Sequence, residues 1–597
     1  MDTRNAKYIV GIDLGTTNSI LAYTAAEAEA RKNADIRILE IPQLTAPGAV
    51  AARPLLPSFI YLPGDTEKAS GALTLPWQDD VPLVVGELAR NRGAEVPQQL
   101  ISSSKSWLCH TTVDRSQPIL PWGAPAEVHH LSPVEASAAI LDHIRRAWNH
   151  LMAHDDERLL LERQAIFLTV PASFDAVARE LTVKAAAMAG LPDIVLLEEP
   201  QAVFYAWIHH SGEQWREAVR PGDLALVCDL GGGTSDFSLI RVSETEGHLE
   251  LERIAVGRHI LVGGDNMDLA LAYAVAQQMK ADGKKLDAWQ MRALWHTCRS
   301  AKEQILGTSG SDRVPISILG RGSGLIGGTL RTELKRETVE RVIMEGFFPL
   351  CEPRARPAAA TRAGIQETGL AYEADPAITR HLAQFLSRNG DRPYEMPTAV
   401  LYNGGVMKSR LLQARVTELL GAWQADVQPQ VLASANMDLS VAIGAAYYGL
   451  ACRGRGVRIR SGLNQSYYIG VAASLPAVPG MPSPIKALCV APFGMEEGTE
   501  AEPTEREFNL IVGEPAKFDF LASAVRTEDA VGTMIEDWED EIEPITTIAT
   551  TLEGDSGTVI PVSIQTRLTE TGTLELWCVS RRDERRWKLE FNLREQA

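Results

Sequence analysis

Two segments of this chain set a carboxylate, a glycine turn and hydroxyls in the same order. The first reads Tyr8-Ile-Val-Gly-Ile-Asp13-Leu-Gly15-Thr16-Thr17-Asn18-Ser-Ile-Leu, the second Leu224-Ala-Leu-Val-Cys-Asp229-Leu-Gly231-Gly232-Gly233-Thr234-Ser-Asp236-Phe. Each is an apolar strand ending in aspartate, a turn, and another apolar strand. Glycine lets backbone N–H groups close on phosphate oxygens, and threonine hydroxyls add donors. An aspartate at a strand end can hold Mg²⁺ through water, because a hard dication takes oxygen ligands. One such hairpin alone is most often an ordinary turn. Two of them predict duplicated lobes that clamp a nucleotide's phosphates and metal between them. A third stretch, Ala399-Val-Leu-Tyr402-Asn403-Gly404-Gly405-Val-Met-Lys408, is a strand, two glycines and a helix start. Its turn admits a planar base or a phosphate close to the backbone, though alone it is a weak signal.

The turns need a scaffold. Up to about residue 450, strand-like runs alternate with helix-like segments, the pattern of α/β domains. Residues 353–375, with Pro353 and Pro357 before a run of alanines, read as a surface insertion. Arg453-Gly454-Arg455-Gly456 reads as a break, and 453–465 as a linker. Beyond it the period changes to two. Ser466–Val471, Leu488–Val490, Phe508–Val512 and Phe518–Leu521 are strand candidates; Ile560, Val562 and Ile564 alternate with polar partners, as do Trp587, Leu589, Phe591 and Leu593. Such alternation predicts a half-buried antiparallel sheet and a small β-sandwich over 466–597. The acidic stretch Glu536–Glu541 reads as a solvated loop rather than a docking site.

Composition narrows the class. A chain of 597 residues is too long for a single core. Its net charge of −19 opposes encounters with nucleic acid or an anionic membrane. Seven dispersed cysteines without a Cys-x-x-Cys, no leader-like N-terminus and no run of about 18 apolar residues predict a reduced, cytoplasmic protein. Gly322-x-Gly324-x-x-Gly327 matches a dinucleotide fingerprint. It reads instead as a hairpin turn, because a strand-like piece, Leu325–Leu330, intervenes before a helix over Thr332–Met344. His150 and His154 have metal-ligand spacing, but Leu151 stands where a zinc protease needs glutamate.

The spaced motifs resemble the heat-shock-70 (DnaK-type) chaperones of the actin-like ATPase superfamily. They are Gly11–Ser19, Val170-Pro-Ala-Ser-Phe174, Glu198-Glu199-Pro200-Gln-Ala202, Asp229–Asp236 and Gly263-Gly264-Asp265-Asn266, spread over roughly residues 7–450. The resemblance implies a bilobed ATPase over 1–452 that binds ATP or ADP with Mg²⁺, followed by a β-rich substrate-binding part. Asp13 and Asp229 would hold hydrated Mg²⁺; Gly15, Thr16, Thr17 and Asn18, with Gly231, Gly232, Gly233 and Thr234, would cradle the phosphates. Lys105 would orient the attacking water, Glu199 would contact the metal shell or that water, and Asp236 would lie beside the phosphate loop. Gly263, Gly264, Asp265, Lys302, Gly404, Gly405 and Lys408 would line the nucleotide pocket, with Asp438 at its rim. Pro171 and Arg179 match the family's switch between nucleotide and second domain. Client polypeptides, a J-domain co-chaperone and an exchange factor are the implied partners. The chain departs from the pattern at Arg299, Glu303 and Lys408 in the adenosine pocket. It departs again at Arg458-Ile459-Arg460-Ser461, where the family has a leucine-rich acidic linker, and at its end, where the family's helical lid is expected to be missing. Two other functions fit the superfamily motifs, an MreB-type filament and a nucleotide sensor without turnover. A sugar or acetate kinase lacks a recognisable small-substrate motif.

Overall fold

The computed structural model describes residues 6–592 apart from 29–34, 80, 111–112, 173, 246–247, 258–259, 308–309, 320–328, 359–372, 388–395, 426, 435, 456–458, 461–462, 464, 473–483, 497, 502–505, 524, 527, 540 and 570–572. It divides into two units, Met1–Arg458 and Ile459–Ala597.

The larger unit repeats one topology. In its first sheet the strands run in the order Ile194–Glu198, Ala165–Val170, Tyr8–Leu14, Asn18–Ala25, Arg37–Ile38. In the second they run Gln430–Leu432, Ala399–Asn403, Leu224–Leu230, Ser235–Thr245, His248–Val256. Each sheet has three parallel strands, the last of which turns back as a hairpin into an antiparallel partner. The near-repeat in sequence is therefore a repeat in space. Every residue of Ala165–Val170, Leu224–Leu230 and Ala399–Asn403 is buried, as expected of strands covered on both faces. Each hairpin places its aspartate at a strand end, so Asp13 lies opposite Thr169 and Asp229 opposite Asn403 on the parallel neighbours.

Two helices brace the sheets. Glu199–Ser211 follows directly from the edge strand Ile194–Glu198 and packs against strands of both sheets. Ser440–Cys452 packs against that helix and against the first hairpin. The contacts are close on both sides: a Cβ on Gly11 of strand Tyr8–Leu14 would sit 2.3 Å from the Ala442 carbonyl oxygen, and one on Gly444 of the helix would sit 1.7 Å from that of Ala202. Helix axes can approach this closely only where side chains are absent.

Helix Pro133–Trp148 opens on a reciprocal cap: Ser132 Oγ accepts from the Glu135 amide at 3.1 Å and the Glu135 carboxylate accepts from the Ser132 amide at 2.7 Å. Inside it, His143 is buried and its Nε2 lies 3.0 Å from the Pro42 carbonyl. Burial holds the imidazole at about 4, below its ordinary value, with the Pro42 contact opposing. A depressed histidine supports the fold above its unfolded pKa near 6.5, and that support drains as pH falls toward 4. Stability should therefore drop by about 3 kcal/mol from this group between pH 6.5 and 4. His143→Gln, melted across that range, should show a flatter acid limb than the parent; identical slopes would refute the assignment.

Strands Arg313–Leu319 and Thr329–Lys335 pair antiparallel, so a hairpin spans the position of the glycine fingerprint, whose own residues lie outside those described. The expected helix over Thr332–Met344 is corrected: the strand runs on to Lys335 and the helix is Arg336–Gly346. Leu330, Thr332 and Leu334 keep the period of two up to that point, which a helical reading from Thr332 overlooked.

The smaller unit is two antiparallel sheets. One runs Met534–Ile535, Ile485–Ala491, Ser466–Ala472, Pro515–Ser523, Glu543–Thr551. The other runs Thr499–Ala501, Thr558–Leu568, Thr573–Ser580, Arg586–Asn592, with Phe508–Val512 also on Thr558–Leu568. Ile560, Val562, Ile564, Trp587, Leu589 and Phe591 all turn into one core with Tyr467, Leu488 and Phe520 from the facing sheet. The Phe520 and Phe591 rings stack with centroids 4.0 Å apart. This is sandwich packing. Leu593 lies outside the described residues, and among those described this unit contains no helix. Of the acidic stretch, Glu536 pairs with Lys486 and Glu541 with Arg526, while Asp540 lies outside the described residues. None of the seven cysteines forms a disulfide, and no described helix is long and apolar enough to cross a membrane.

Candidate active site

The two hairpin turns meet. A Cβ on Gly232 would come within 2.3 Å of Thr17 Oγ1, and one on Gly233 within 2.8 Å of Ser106 Oγ and 3.1 Å of Thr16 Cγ2. Gly15 is equally tight, since a Cβ there would lie 2.3 Å from the Asn18 carbonyl oxygen. Gly231 donates to the Thr234 carbonyl at 2.9 Å, closing the second turn. Gly263 backs onto that turn: a Cβ on it would strike the carbonyl oxygens of Gly232 and Gly231 at 2.5 and 2.8 Å. The amides of Gly264 and Asp265 then donate to Gly231 and Gly232 at 3.0 and 2.8 Å. So Gly15–Asn18, Gly231–Thr234 and Gly263–Asp265, which are far apart in sequence, form one glycine-lined cradle.

Lys105 rises from the short helix Ser104–Trp107, which is buried throughout and entered through Ser103 at φ 56°. Its ammonium pairs with Glu199, the first residue of helix Glu199–Ser211, and both are largely buried. Arg115 holds this segment in place, donating to the carbonyls of Leu108 and His110 and gripping both oxygens of Asp175 at 3.1 and 3.2 Å. Burial works against the Lys105 charge, but Glu199, Asp13 and Asp236 outweigh it, and the ammonium stays charged above its ordinary range.

The carboxylates are in excess. Burial raises Asp13 to about 7, opposed by Lys105 and reinforced by Glu199 and Asp438. Burial raises Asp229 well above the carboxylate range, with Glu199, Asp236 and Asp13 adding to it and a hydrogen bond from Asn403 opposing. Four acids around one lysine call for further positive charge. Among the described residues no three His, Cys, Asp or Glu side chains close on one point as a cage. An oxygen-only donor set of this kind fits a hydrated Mg²⁺ held by Asp13 and Asp229 through its waters.

The remaining predicted residues separate into groups. Asp265 accepts from Ser103 Oγ at 3.3 Å and pairs with Arg299, whose Nε reaches Asp268 Oδ2 at 3.0 Å. Lys302 binds Asp268 Oδ1 at 2.7 Å and the Gly264 carbonyl at 3.1 Å. Asp265 and Lys302 are thus drawn into an ion network that Arg299 completes. Lys408 and Asp438 pair with one another at 2.5 Å at the partly exposed rim, next to Gly404 and Gly405. Arg179 lies 3.6 Å from the buried Glu198 carboxylate and donates to the Ala172 carbonyl at 3.3 Å, adjoining Pro171.

Residues missed at the sequence level are Thr169, Asn403, Ser440, Ser103, Ser106 and Asp268. The first two had a positional signal only: Asn403 ends the parallel strand beside that of Asp229, and Thr169 stands one residue before the end of the strand beside that of Asp13. Asp268 also had one: it lies one turn after Asp265 and faces Arg299 and Lys302 on the neighbouring helix.

A model of the family described as Hsp70 protein matches residues 78–358. Over these residues the chain resembles the Hsp70 family. The Hsp70 match contains Lys105, Glu199, Asp229–Asp236 and Gly263–Asp265, whereas the first hairpin and the Gly404 turn lie outside it and join the site through the fold. Similar proteins include the chaperone protein HscA homolog of Tolumonas auensis, 31% identical over 350 residues, or 57% of this chain and 48% of that one. The HscA homolog of Pasteurella multocida is 34% identical over 284 residues, 45% of this chain and 38% of its own. Chaperone protein HscA of Escherichia coli is 29% identical over 441 residues, 73% and 57% respectively. The chain spans about half the length of the curated relatives it matches.

Proposed function

We propose that this chain is a chaperone-like protein that binds ATP and ADP with Mg²⁺, hydrolyses ATP, and couples nucleotide state to polypeptide binding by its β-sandwich unit. The observation that carries this is the meeting of two duplicated glycine turns around a buried Lys105–Glu199 pair and two raised aspartates. Backbone amides and the hydroxyls of Thr16, Thr17 and Thr234 bind the phosphates. Lys105 offsets charge that develops on the transferred phosphoryl group and, with Glu199, orients the attacking water. Bound Mg²⁺ supplies charge neutralisation between the phosphates. Asp13 and Asp229 would hold its water shell, and Glu199, Asp13 and Asp236 together keep the lysine charged. Gly404, Gly405, Lys408 and Asp438 flank the base, and the Asp265–Arg299–Asp268–Lys302 network stiffens the wall behind it. Clients are polypeptides; a J-domain protein and an exchange factor are the partners this reading invites. Seven cysteines without a disulfide suit a reducing cytoplasm.

Phosphate release from ATP is expected to be slow, to stop with EDTA and to resume with Mg²⁺. A fluorescent extended peptide should bind the full chain with affinities that differ between ADP and ATP by roughly 5- to 150-fold. No turnover with retained ADP binding would reduce the protein to a nucleotide sensor. Equal peptide affinity in both states would remove the coupling, and ATP-dependent pelleting as filaments would replace the reading with an actin-like one.

A further inference from the structure

The strand Ala399–Asn403 ends in a buried amide that the motifs do not assign. Asn403 is 1% exposed, and its Nδ2 donates to Asp229 Oδ2 at 3.1 Å. Its Oδ1 accepts from the hydroxyl of Ser440 at 2.5 Å, and Ser440, also buried, is the first residue of the bracing helix Ser440–Cys452. The orientation of the amide suits an Asp229 ionised to hold a hydrated cation, since a carboxylate in that state only accepts and so faces the NH₂ group. On the other side of Asp229 stands Gly404 at φ +86°, where a Cβ would come within 2.7 Å of Oδ1 and 2.3 Å of the Leu230 carbonyl oxygen. Asn403 thus engages one oxygen of the carboxylate while a side-chain-free residue keeps the other clear. The equivalent place in the first lobe is filled differently: Thr169 Oγ1 reaches Asp13 Oδ1 at only 3.4 Å. The two carboxylates are not held alike, and the second lobe's is held harder.

We propose that Asn403, locked by Ser440, is a positioning residue that ties up Oδ2 of Asp229 and leaves Oδ1 as the oxygen presented to the hydrated Mg²⁺. The assignment rests on reading the site as a Mg-nucleotide site. It also connects that site to the helix Ser440–Cys452, because any movement of its first turn pulls on the amide.

ADP binding to the full chain is measured by calorimetry with Mg²⁺ and with EDTA, in the parent and in Asn403→Leu, Asn403→Asp and Ser440→Ala. Asn403→Leu keeps the branched outline in a somewhat larger side chain and removes both hydrogen bonds. It is expected to cut the affinity gained from Mg²⁺ roughly tenfold or more, the loss typical of a hydrogen bond to a charged group, and to leave Mg-free ADP binding unchanged. Asn403→Asp can still accept from Ser440 but sets a second carboxylate against Asp229, so its loss should be at least as large. Ser440→Ala should give a smaller loss of the same kind, and adding it to Asn403→Leu should cost nothing more, since the two act as one unit. An equal loss with and without Mg²⁺ would mark a merely structural role and overturn the proposal, as would an intact Mg²⁺ gain. Should Asn403→Leu fail to fold, Ser440→Ala decides, and an unchanged Mg²⁺ gain in it overturns the assignment. A parent that binds ADP without any Mg²⁺ gain sinks this assignment alone, whereas a parent that binds no ADP sinks the nucleotide reading on which it rests.

Discussion

Replacing Lys105 with methionine is expected to lower Mg-dependent ATP turnover by about 10²- to 10³-fold, the usual effect of deleting one preorganised charge aimed at a developing anion. Lys105 is the cation the structure sets among Glu199, Asp13 and Asp236, and it remains charged because their combined field outweighs its burial. Methionine retains the apolar stem and removes the charge, leaving Glu199 buried beside three other carboxylates. That orphan has a second consequence. Breaking a largely buried pair by deleting one partner costs about 3–5 kcal/mol, so the single variant should also unfold earlier. The two effects separate in the double variant Lys105→Met/Glu199→Gln, which removes the charge orphaned at Glu199. Its urea midpoint should return toward that of the parent while its turnover stays low. Recovery of both would mean that Lys105 serves stability only, and single-variant turnover within threefold of the parent would discard its role in hydrolysis. Phosphate release and urea unfolding on the same preparations supply both readings.

The lobes were legible because the chemistry and the scaffold share one pattern. A strand that ends in aspartate and turns on glycine is readable in one dimension, and finding it twice, at Asp13 and Asp229, already implies a duplicated sheet. The β-sandwich was legible for a different reason: Ile560, Val562 and Ile564, and Trp587, Leu589 and Phe591, keep a strict period of two that only a half-buried strand requires. What stayed hidden depends on partners far away in sequence. The duplicated pattern puts Asn403 at the end of a strand, but only the fold shows that its amide donates to Asp229, 174 positions earlier. The spacing of Asp268 from Asp265 hinted at a shared face, but that the face meets Lys302 is seen only in the fold, so the expected contact of Lys302 with the nucleotide competes with an ion pair. The misplaced start of helix Arg336–Gly346 is a smaller case, in which the period of two at Leu330, Thr332 and Leu334 and the hairpin pairing decide for a strand.

The helix crossing behind the site is where the smallest substitution should have the largest structural effect. Gly444→Ala adds one methyl, yet a Cβ there would lie 1.7 Å from the Ala202 carbonyl oxygen, 2.5 Å from its carbon and 3.0 Å from the Ala206 amide nitrogen. All three are backbone atoms of helix Glu199–Ser211, so no side chain can rotate away and the helices must part. Overpacking of this kind costs about 3 kcal/mol, against which the better helix propensity of alanine returns only about 1. The displaced helix begins at Glu199, and the helix carrying Gly444 begins at Ser440. Parting them therefore loosens the Lys105–Glu199 pair and the Ser440–Asn403–Asp229 chain together. Gly444→Ala should lose stability to urea and affinity for ADP at once. Gly346→Ala, at the end of helix Arg336–Gly346 with no atom within 4 Å of the added Cβ, should change neither adversely. Equal urea midpoints for the two variants would refute the close crossing, and a destabilised Gly444→Ala with undiminished ADP affinity would show that the crossing supports the fold without reaching the site.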